Sequence, residues 1–127
     1  MHLIISNRYA LPRCNMKFDT KKEGLETLFK PYQVLLLEHI WDLNGNGRTG
    51  MNSGQAHKYL QDTPEKKSRA SVIFFLNDMV DDGILDYEER TGKGGYHRVY
   101  YPTMDREEFA DHITDLITKK LKTIFHN

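Results

Sequence analysis

The stretch DLNGNGRTGMNS, which begins at Asp42, has the residue types of an ion-binding or phosphate-binding loop. Oxygen-bearing side chains stand at its first, third and fifth positions and a glycine at its sixth, as in the opening half of a calcium-binding EF-hand loop. The twelfth position should carry a glutamate that closes the coordination sphere, but it is Ser53. A single carboxylate carries too little charge for a hard divalent cation, so we predict no metal site here.

The same stretch also lacks the pattern of a phosphate-binding loop. That loop needs a glycine followed by lysine and then serine or threonine, and the basic residue here is Arg48. Glycine and asparagine tolerate the positive φ angles of tight turns. We therefore interpret the stretch as a solvated connection between two structural elements.

The sequence shows no other pattern typical of catalysis or metal binding. The six histidines have no H-x-x-x-H spacing, and with the single cysteine, Cys14, they form no recognisable cluster. Spacing supports no Ser/His/Asp or Cys/His arrangement either. We predict no catalytic residue, no metal and no cofactor, and hence a protein that is not an enzyme.

Composition and charge indicate the compartment and leave the partner open. Cys14 has no second cysteine to pair with, which fits a reducing compartment. No apolar run approaches the roughly 18 residues that span a bilayer, so we expect a cytoplasmic protein with no membrane segment. The formal net charge is zero, but residues 1–22 carry five lysine or arginine residues against one aspartate. This leader is either a basic arm or a solvated extension.

Apolar residues at helical spacing predict three helices in the middle of the chain. The first begins at Pro31, a favoured first helical position, and GLETLFK before it suggests a shorter helix. Ser53 is the predicted N-cap of the second helix, and residues 49–52 before it suit a short edge strand. Ser68 is the predicted N-cap of the third helix, whose core stripe runs through VIFFLNDMV, and Gly83 ends it.

The C-terminal part of the sequence predicts a hairpin and a long helix. ILDYEER and YHRVYYP are prone to form strands, and TGKGG between them predicts the hairpin turn. Asp105 followed by Glu108 predicts a capped start of the last helix, whose apolar stripe runs from Phe109 to Phe125. The order of these elements is that of a winged helix-turn-helix domain, which is a mainly α fold with a small β-hairpin (α+β).

Two blocks, PYQVLLLEHIW and SRASVIFFLNDMVDDGILDYEERTGKGGYHRVYYP, resemble the penicillinase-repressor family of winged-helix regulators, with a wider kinship to MarR-like regulators. The resemblance covers about residues 31–125. It implies a homodimeric repressor that binds double-stranded DNA with its third helix in the major groove. The implied division is a basic extension at 1–24, a DNA-binding domain at 25–103 and a C-terminal dimerisation helix at 104–127.

Three departures from the family pattern accompany this resemblance. Asp81 and Asp82 stand where the family often has basic residues. The leader is extra, and the cysteine-rich motif of the copper-responsive branch is absent.

In such a domain the third helix meets bases with its N-terminal turns, while basic side chains neutralise phosphates. Asn77 is the predicted partner of an adenine, and Ser71 that of a base edge or a phosphate. The predicted DNA-binding residues are Lys66, Lys67, Ser68, Arg69, Ala70, Ser71, Asn77, Arg90, Lys93, His97 and Arg98. The predicted dimer contacts, which share the apolar face of the last helix, are Phe109, Ile113, Leu116, Ile117, Leu121 and Ile124.

A second hypothesis is a winged-helix module that binds protein rather than DNA. The neutral net charge favours it, as do Asp78, Asp81 and Asp82 on the third helix. Phe74, on the outer face of that helix, favours it as well. An outward phenylalanine either contacts a thymine methyl group or packs on the leader, and we favour the leader. The sequence specifies neither the operator nor an inducer.

Overall fold

A computed structural model describes residues 18–92 and 94–125 of the chain, with side chains described up to Lys122. These residues form an α+β fold of four α-helices and one three-stranded antiparallel sheet. In chain order the elements are a 3₁₀ turn (Gly24–Thr27), α1 (Pro31–Leu43), β1 (Met51–Asn52), α2 (Ser53–Gln61), α3 (Arg69–Asp81), β2 (Leu85–Gly92), β3 (Gly95–Pro102) and α4 (Arg106–Phe125). Within the described ranges, no helix has both the length and the hydropathy that a membrane span requires.

Several helix boundaries lie where local signals in the sequence predict them. Pro31 occupies the first position of α1, where its missing N–H removes no helical hydrogen bond. The Ser68 hydroxyl oxygen accepts a hydrogen bond from the Ser71 backbone N–H at 3.1 Å and so caps α3. Gly83 follows α3 with a φ of +79°, the left-handed conformation that commonly ends helices. These three predicted boundaries are confirmed.

Two boundaries differ from the prediction. Asn52, rather than Ser53, caps α2: its side-chain oxygen accepts from the Gln55 N–H at 2.8 Å, and the Gln55 side-chain oxygen accepts from the Asn52 N–H at 2.9 Å. This reciprocal pair satisfies two backbone donors, and it takes the cap away from the serine one residue later. The segment predicted as a helix before α1 forms only the 3₁₀ turn.

Aromatic rings join the helices within the core. Phe29, just after the 3₁₀ turn, meets Phe75 of α3 edge-on with ring centroids 6.4 Å apart. Phe109 of α4 lies 6.2 Å from Phe29 and 5.6 Å from Trp41 of α1, again between ring centroids. Trp41 also donates its indole N–H to the Met104 carbonyl oxygen at 2.9 Å. The start of α4 is therefore held against α1 by the contact between Phe109 and Trp41 and by the hydrogen bond from Trp41 to Met104.

The packing of α4 corrects part of the predicted dimer contact. Three of those residues are buried in the chain's own core: Phe109, Ile113 and Leu116. The first half of α4 packs on α1 and on residues next to the 3₁₀ turn, and an apolar stripe alone does not reveal which surface covers it. Further along the stripe, Ile117 is half-buried and Leu121 is 48 % exposed. The side chain of Ile124 lies outside the described residues.

The sheet has the strand order β1-β3-β2, and both pairs of strands are antiparallel. β2 and β3 form the predicted hairpin, in register from Leu85 opposite Pro102 to Gly92 opposite Gly95. The predicted edge strand is present as β1, which pairs with β3 on the side away from β2.

Gly50 lets the loop between α1 and β1 lie directly on β3. Its φ is +74°, and a Cβ atom on it would lie 2.5 Å from Val99 Cγ1 and 2.6 Å from Tyr101 Cε1. Both the backbone conformation and the close approach therefore require glycine. The glycine-rich stretch that begins at Asp42 thus connects α1 to the sheet, as predicted.

Gly50→Ala should destabilise the fold more than Gly83→Ala. The two glycines have similar φ angles of +74° and +79°, so each alanine carries a backbone strain of about 1–2 kcal/mol. Only the alanine at Gly50 also overlaps neighbouring atoms, and this overlap should lower the free energy of unfolding by a further ~1–3 kcal/mol. Urea denaturation measures both losses, and equal losses would contradict the close approach of the loop to β3.

Candidate functional site

A groove of about 400 Å³ runs between α3 and the β2–β3 hairpin. The N-terminal turns of α3, the N-terminus of α2 and one face of the hairpin form its walls. Two arginines and one glutamate are among the residues that line it, which are Ser53, Arg69, Ile73, Asn77, Glu89, Tyr96, His97, Arg98 and Tyr100. Glu89 lies opposite Arg98 in the hairpin and offsets part of the positive charge. The fold thus brings predicted site residues from two distant parts of the sequence to one surface.

The positively charged guanidinium group of Arg69 lies next to the N-terminus of α2. It is the first residue of α3, it is exposed, and its Nη2 donates a hydrogen bond to Ser53 Oγ at 3.3 Å. A helix N-terminus carries a partial positive charge and open N–H donors. The guanidinium group and the start of α2 therefore form one electropositive corner, which suits an anionic group of a ligand.

Two exposed lysines, Lys66 and Lys67, lead into α3. The Lys67 Nζ lies 5.1 Å from the ring centroid of Tyr32 in α1, a cation–π contact. The Lys67 carbonyl oxygen accepts a hydrogen bond from Gln61 Nε2 of α2 at 3.2 Å. These contacts fix the lead-in segment to α1 and α2, so its positive charges stay beside the start of α3.

Ser68 and Ser71 use their hydroxyl groups within α3. Besides accepting the capping bond, the Ser68 hydroxyl donates to Ser71 Oγ at 3.1 Å. The two hydroxyl groups thus help to hold the first turn of the helix, and the ligand contact predicted for them stays a prediction. Ala70, between them, is exposed.

Asn77 joins α3 to the hairpin, which corrects its predicted role. Its side-chain oxygen accepts hydrogen bonds from the Tyr100 hydroxyl at 2.6 Å and from Arg98 Nη1 at 3.0 Å. Reading an adenine with both ends of the amide requires this oxygen as well as the amide nitrogen. Because the oxygen is occupied inside the chain, Asn77 serves to position the hairpin rather than to pair with a base in that way.

Arg98 is held in place by its neighbours. In addition to its bond to Asn77, its guanidinium carbon lies 3.9 Å from the ring centroid of Tyr87 on β2. Burial raises the pKa of the Tyr100 hydroxyl, with the charge of Arg98 opposing the shift, so the hydroxyl keeps its proton at neutral pH and remains a donor. Arg98 is therefore a positioned cation on the hairpin face that meets α3.

The predicted basic residues of the hairpin do not form one patch. Side chains alternate between the two faces of a strand, and Arg90 pairs directly with His97 while Arg98 pairs with Glu89. Arg98 therefore lies on one sheet face and Arg90 on the other, while His97, near the hairpin turn, still lines the groove together with Arg98. Lys93 lies outside the described residues.

The sheet face that carries Arg90 is occupied by an ion-pair cluster. Glu88 accepts hydrogen bonds from Arg48 at 3.2 Å and from Arg90 at 3.3 Å, and these bonds, led by that from Arg48, lower the pKa of its carboxyl group. Arg48 also stacks on the Tyr101 ring, 3.7 Å from its centroid, and Arg90 bonds to the Tyr101 hydroxyl. The only prediction for Arg48 was that it belongs to no phosphate loop, so this contact between loop and sheet was missed.

Two exposed aromatic residues stand on the elements that form the groove, and Tyr96 lines it. Tyr96, which the sequence analysis missed, is 77 % exposed on the sheet face of Arg98 and Tyr100, and the period of two in YHRVYY is a signal that could have found it. Phe74 is 62 % exposed on α3. Most of the leader on which Phe74 was predicted to pack, residues 1–17, lies outside the described ranges.

Acidic residues weaken the positive character toward the C-terminal end of α3. Asp81 is exposed there, whereas Asp78 is buried. Of the residues that the structure describes, no three or more His, Cys, Asp or Glu side chains are grouped to hold a metal ion. The candidate site is therefore a surface with cations at the start of α3 and on the hairpin.

Comparisons of the chain with protein-family models, with curated proteins and with solved structures gave no match.

A double-mutant cycle with Asn77→Ala and Tyr100→Phe measures the contact between α3 and the hairpin. Asn77→Ala leaves the Tyr100 hydroxyl without this acceptor and should lower the free energy of unfolding by about 1–3 kcal/mol. Because both variants break the same hydrogen bond, the double variant should lose about 0.5–1.5 kcal/mol less than the sum of the single losses. Urea denaturation of the four proteins gives the coupling, and strictly additive losses would show that the bond contributes nothing.

Proposed function

We propose that the chain is a sequence-specific DNA-binding transcription regulator, a dimeric repressor with a winged helix-turn-helix fold. The observation that carries the proposal is the groove between α3 and the hairpin. Arg69 of α3 and Arg98 of the hairpin both line it, and each is positioned by a hydrogen bond within the chain. The element order α1, β1, α2, α3, β2, β3 and the strand order β1-β3-β2 support the winged-helix assignment. In this proposal the β2–β3 hairpin is the wing.

α3 is the element that enters the major groove of DNA in this proposal. The major groove is about 12 Å wide and admits one α-helix, and helix-turn-helix proteins contact bases through the N-terminal residues of the recognition helix. Lys66, Lys67 and Arg69 stand at that end of α3, while the exposed Asp81 stands at the other. Approach by the N-terminal end therefore brings cations to the phosphates and keeps the carboxylate farther from them.

The hairpin would contact the phosphate backbone beside the major groove. Arg98 is already fixed by Asn77 and Tyr87, so it loses less side-chain entropy on binding than a free surface arginine does. Tyr96, exposed on the same sheet face, adds a hydroxyl group and a ring near the hairpin tip. Arg90, on the opposite face, does not share this contact, whereas His97 lines the same groove as Arg98.

A second copy of the chain would cover the exposed part of α4. A groove of about 470 Å³ lies between the 3₁₀ turn and α4, with Leu25, Leu28, Ile113 and Ile117 among its apolar lining residues. Leu121 continues this apolar surface one turn beyond Ile117 and is 48 % exposed. Two-fold related copies would bury the same surface on each chain. The proposed dimer contact is thus narrowed to the second half of α4.

Binding to a protein partner is the alternative function. The exposed ring of Phe74 and the carboxylate of Asp81 on one helix favour it. Asp78 is buried. The exposed surface of α3 is therefore less acidic than the composition of the helix suggests. This balance leads us to prefer DNA.

Selection from random duplex DNA tests the proposed function. A two-fold dimer presents two copies of α3, so the enriched sequence should be an imperfect palindrome with half-sites about 10 base pairs apart. Inserting about 5 base pairs between the half-sites turns one of them to the far side of the duplex, and affinity should fall toward the non-specific level. A selection that enriches no sequence would reject the proposal in favour of the protein-binding alternative.

Arg69→Ala should reduce the salt dependence of DNA binding. Each phosphate that a subunit no longer neutralises lowers the slope of log affinity against log salt concentration by about 0.9, and this variant frees one phosphate per subunit. Lys119→Ala is the control, because it removes the same charge from α4, where Lys119 pairs with Asp115, far along the chain from α3. Binding titrations at several salt concentrations measure both slopes. If the Arg69 variant keeps the wild-type slope, that residue does not contact phosphate.

Leu121→Asp should convert the dimer to monomers. The change places a charge within the apolar surface that the second copy would cover, and an unpaired buried charge is strongly unfavourable. His112→Asp is the control, since it places the same side chain at an exposed position on the opposite side of α4 from Leu121. Sedimentation velocity measures the oligomeric state, and a Leu121 variant that remains dimeric would rule out this contact.

A further inference from the structure

Phe74 is an exposed aromatic residue near the middle of α3. It is 62 % exposed, whereas Phe75 and Leu76 beside it are fully buried, so it marks the helix face turned away from the core. Helical side chains lean toward the N-terminus, which brings the ring toward the exposed Ala70 one turn earlier. Apolar surface in water is unfavourable until a ligand covers it, and a patch of this kind commonly marks a binding site.

Several polar atoms of this part of α3 are engaged within the chain. The side-chain oxygen of Asn77 is bound by donors from the hairpin, and the hydroxyl groups of Ser68 and Ser71 are bound to each other. The first turns of α3 therefore expose the methyl group of Ala70 and the ring of Phe74 to a ligand. A ligand at this position is met by an apolar surface.

Cations border the apolar surface on its N-terminal side. Lys66 and Lys67 precede α3, and Arg69 is its first residue. A ligand that satisfies both features is a polyanion that offers an apolar group between its charges. Duplex DNA has this combination at thymine, whose C5-methyl group is the apolar group displayed in the major groove.

We propose that Phe74, together with Ala70, recognises the C5-methyl group of a thymine in each half-site of the operator. This inference rests on the proposed DNA-binding function, with α3 in the major groove. It replaces the expectation that Phe74 packs on the leader, because the ring is exposed on the helix whose N-terminal end carries the cations. Phenylalanine has no hydrogen-bonding group, so the discrimination depends on the methyl group alone. Thymine and 5-methylcytosine offer this contact, whereas uracil and cytosine do not.

The test uses the full chain and the palindromic operator obtained by selection. Each thymine is replaced in turn by uracil, which removes one methyl group and leaves base pairing unchanged. Burying one such group is worth about a fourfold change in an equilibrium constant at 25 °C. Uracil at one position of a half-site should therefore weaken binding about fourfold, and about sixteenfold when both half-sites are changed.

Phe74→Ala is the matched variant. Because Phe74 is exposed, the change should leave the melting temperature nearly unchanged. The variant should lose most of the difference in affinity between the thymine operator and the uracil operator, because Ala70 alone then contacts the methyl group. Phe74→Leu keeps an apolar side chain and should retain part of the preference for thymine, and it replaces the alanine variant if that variant binds too weakly to measure.

The possible outcomes separate this inference from the function on which it rests. A wild-type chain that binds its operator but responds to no thymine-to-uracil replacement overturns the role of Phe74 and leaves DNA binding intact. A uracil effect that persists unchanged in both Phe74 variants also overturns it, because another residue then contacts the methyl group. If selection enriches no sequence, DNA binding itself fails, and Phe74 is assigned to a protein partner or to the leader.

Discussion

The position of the hairpin relative to α3 depends on one acceptor, the side-chain oxygen of Asn77. It receives hydrogen bonds from the Tyr100 hydroxyl and from the Arg98 guanidinium group, and so ties the helix to the second strand of the hairpin. A bond from a charged donor is stronger than one between neutral groups. Arg69 belongs to α3 and Arg98 to the hairpin, so the hydrogen bonds at Asn77 set how far apart the two cations of the groove stand.

A second set of contacts supports the hairpin from its other face. Glu88 of β2 binds Arg48 from the loop after α1, and Arg48 stacks on Tyr101 of β3. Exposed ion pairs contribute little individually, but the close approach at Gly50 adds packing between the same loop and strand. The base of the hairpin is thereby braced by α3 on one face and by the α1–β1 loop on the other.

The sequence predicted those features of the fold that depend on neighbouring residues. Asp105 and Glu108 exchange hydrogen bonds of 2.8 and 2.9 Å at the start of α4, as their spacing indicated. Helix caps and hairpin turns are local, so their signals lie within a few residues of one another. The position of the cap of α2 was wrong by one residue, because Asn52 and Gln55 together satisfy two backbone donors.

Features that depend on distant residues were not predictable in the same way. The stripe that begins at Phe109 was predicted to contact a second chain, and only the folded arrangement shows that the chain's own core covers its first half. Likewise, the spacing of Asn77 on α3 could not reveal that Tyr100 and Arg98 would reach it, since those partners are more than twenty residues away. Lys66, Lys67 and Arg69 are exposed at the start of α3, and their contact with a ligand stays a prediction, whereas the side-chain oxygen of Asn77 is engaged by the hairpin.

Trp41 is the only tryptophan of the chain, and it lies in the contact between α1 and α4. Its ring packs on Phe109 and its indole N–H is bonded to the Met104 carbonyl oxygen, just before α4 begins. Indole fluorescence shifts to longer wavelength when the ring is exposed to water. The chain therefore contains an intrinsic optical reporter of whether α4 is seated on the rest of the fold, and partial undocking of that helix can be followed without attaching a dye.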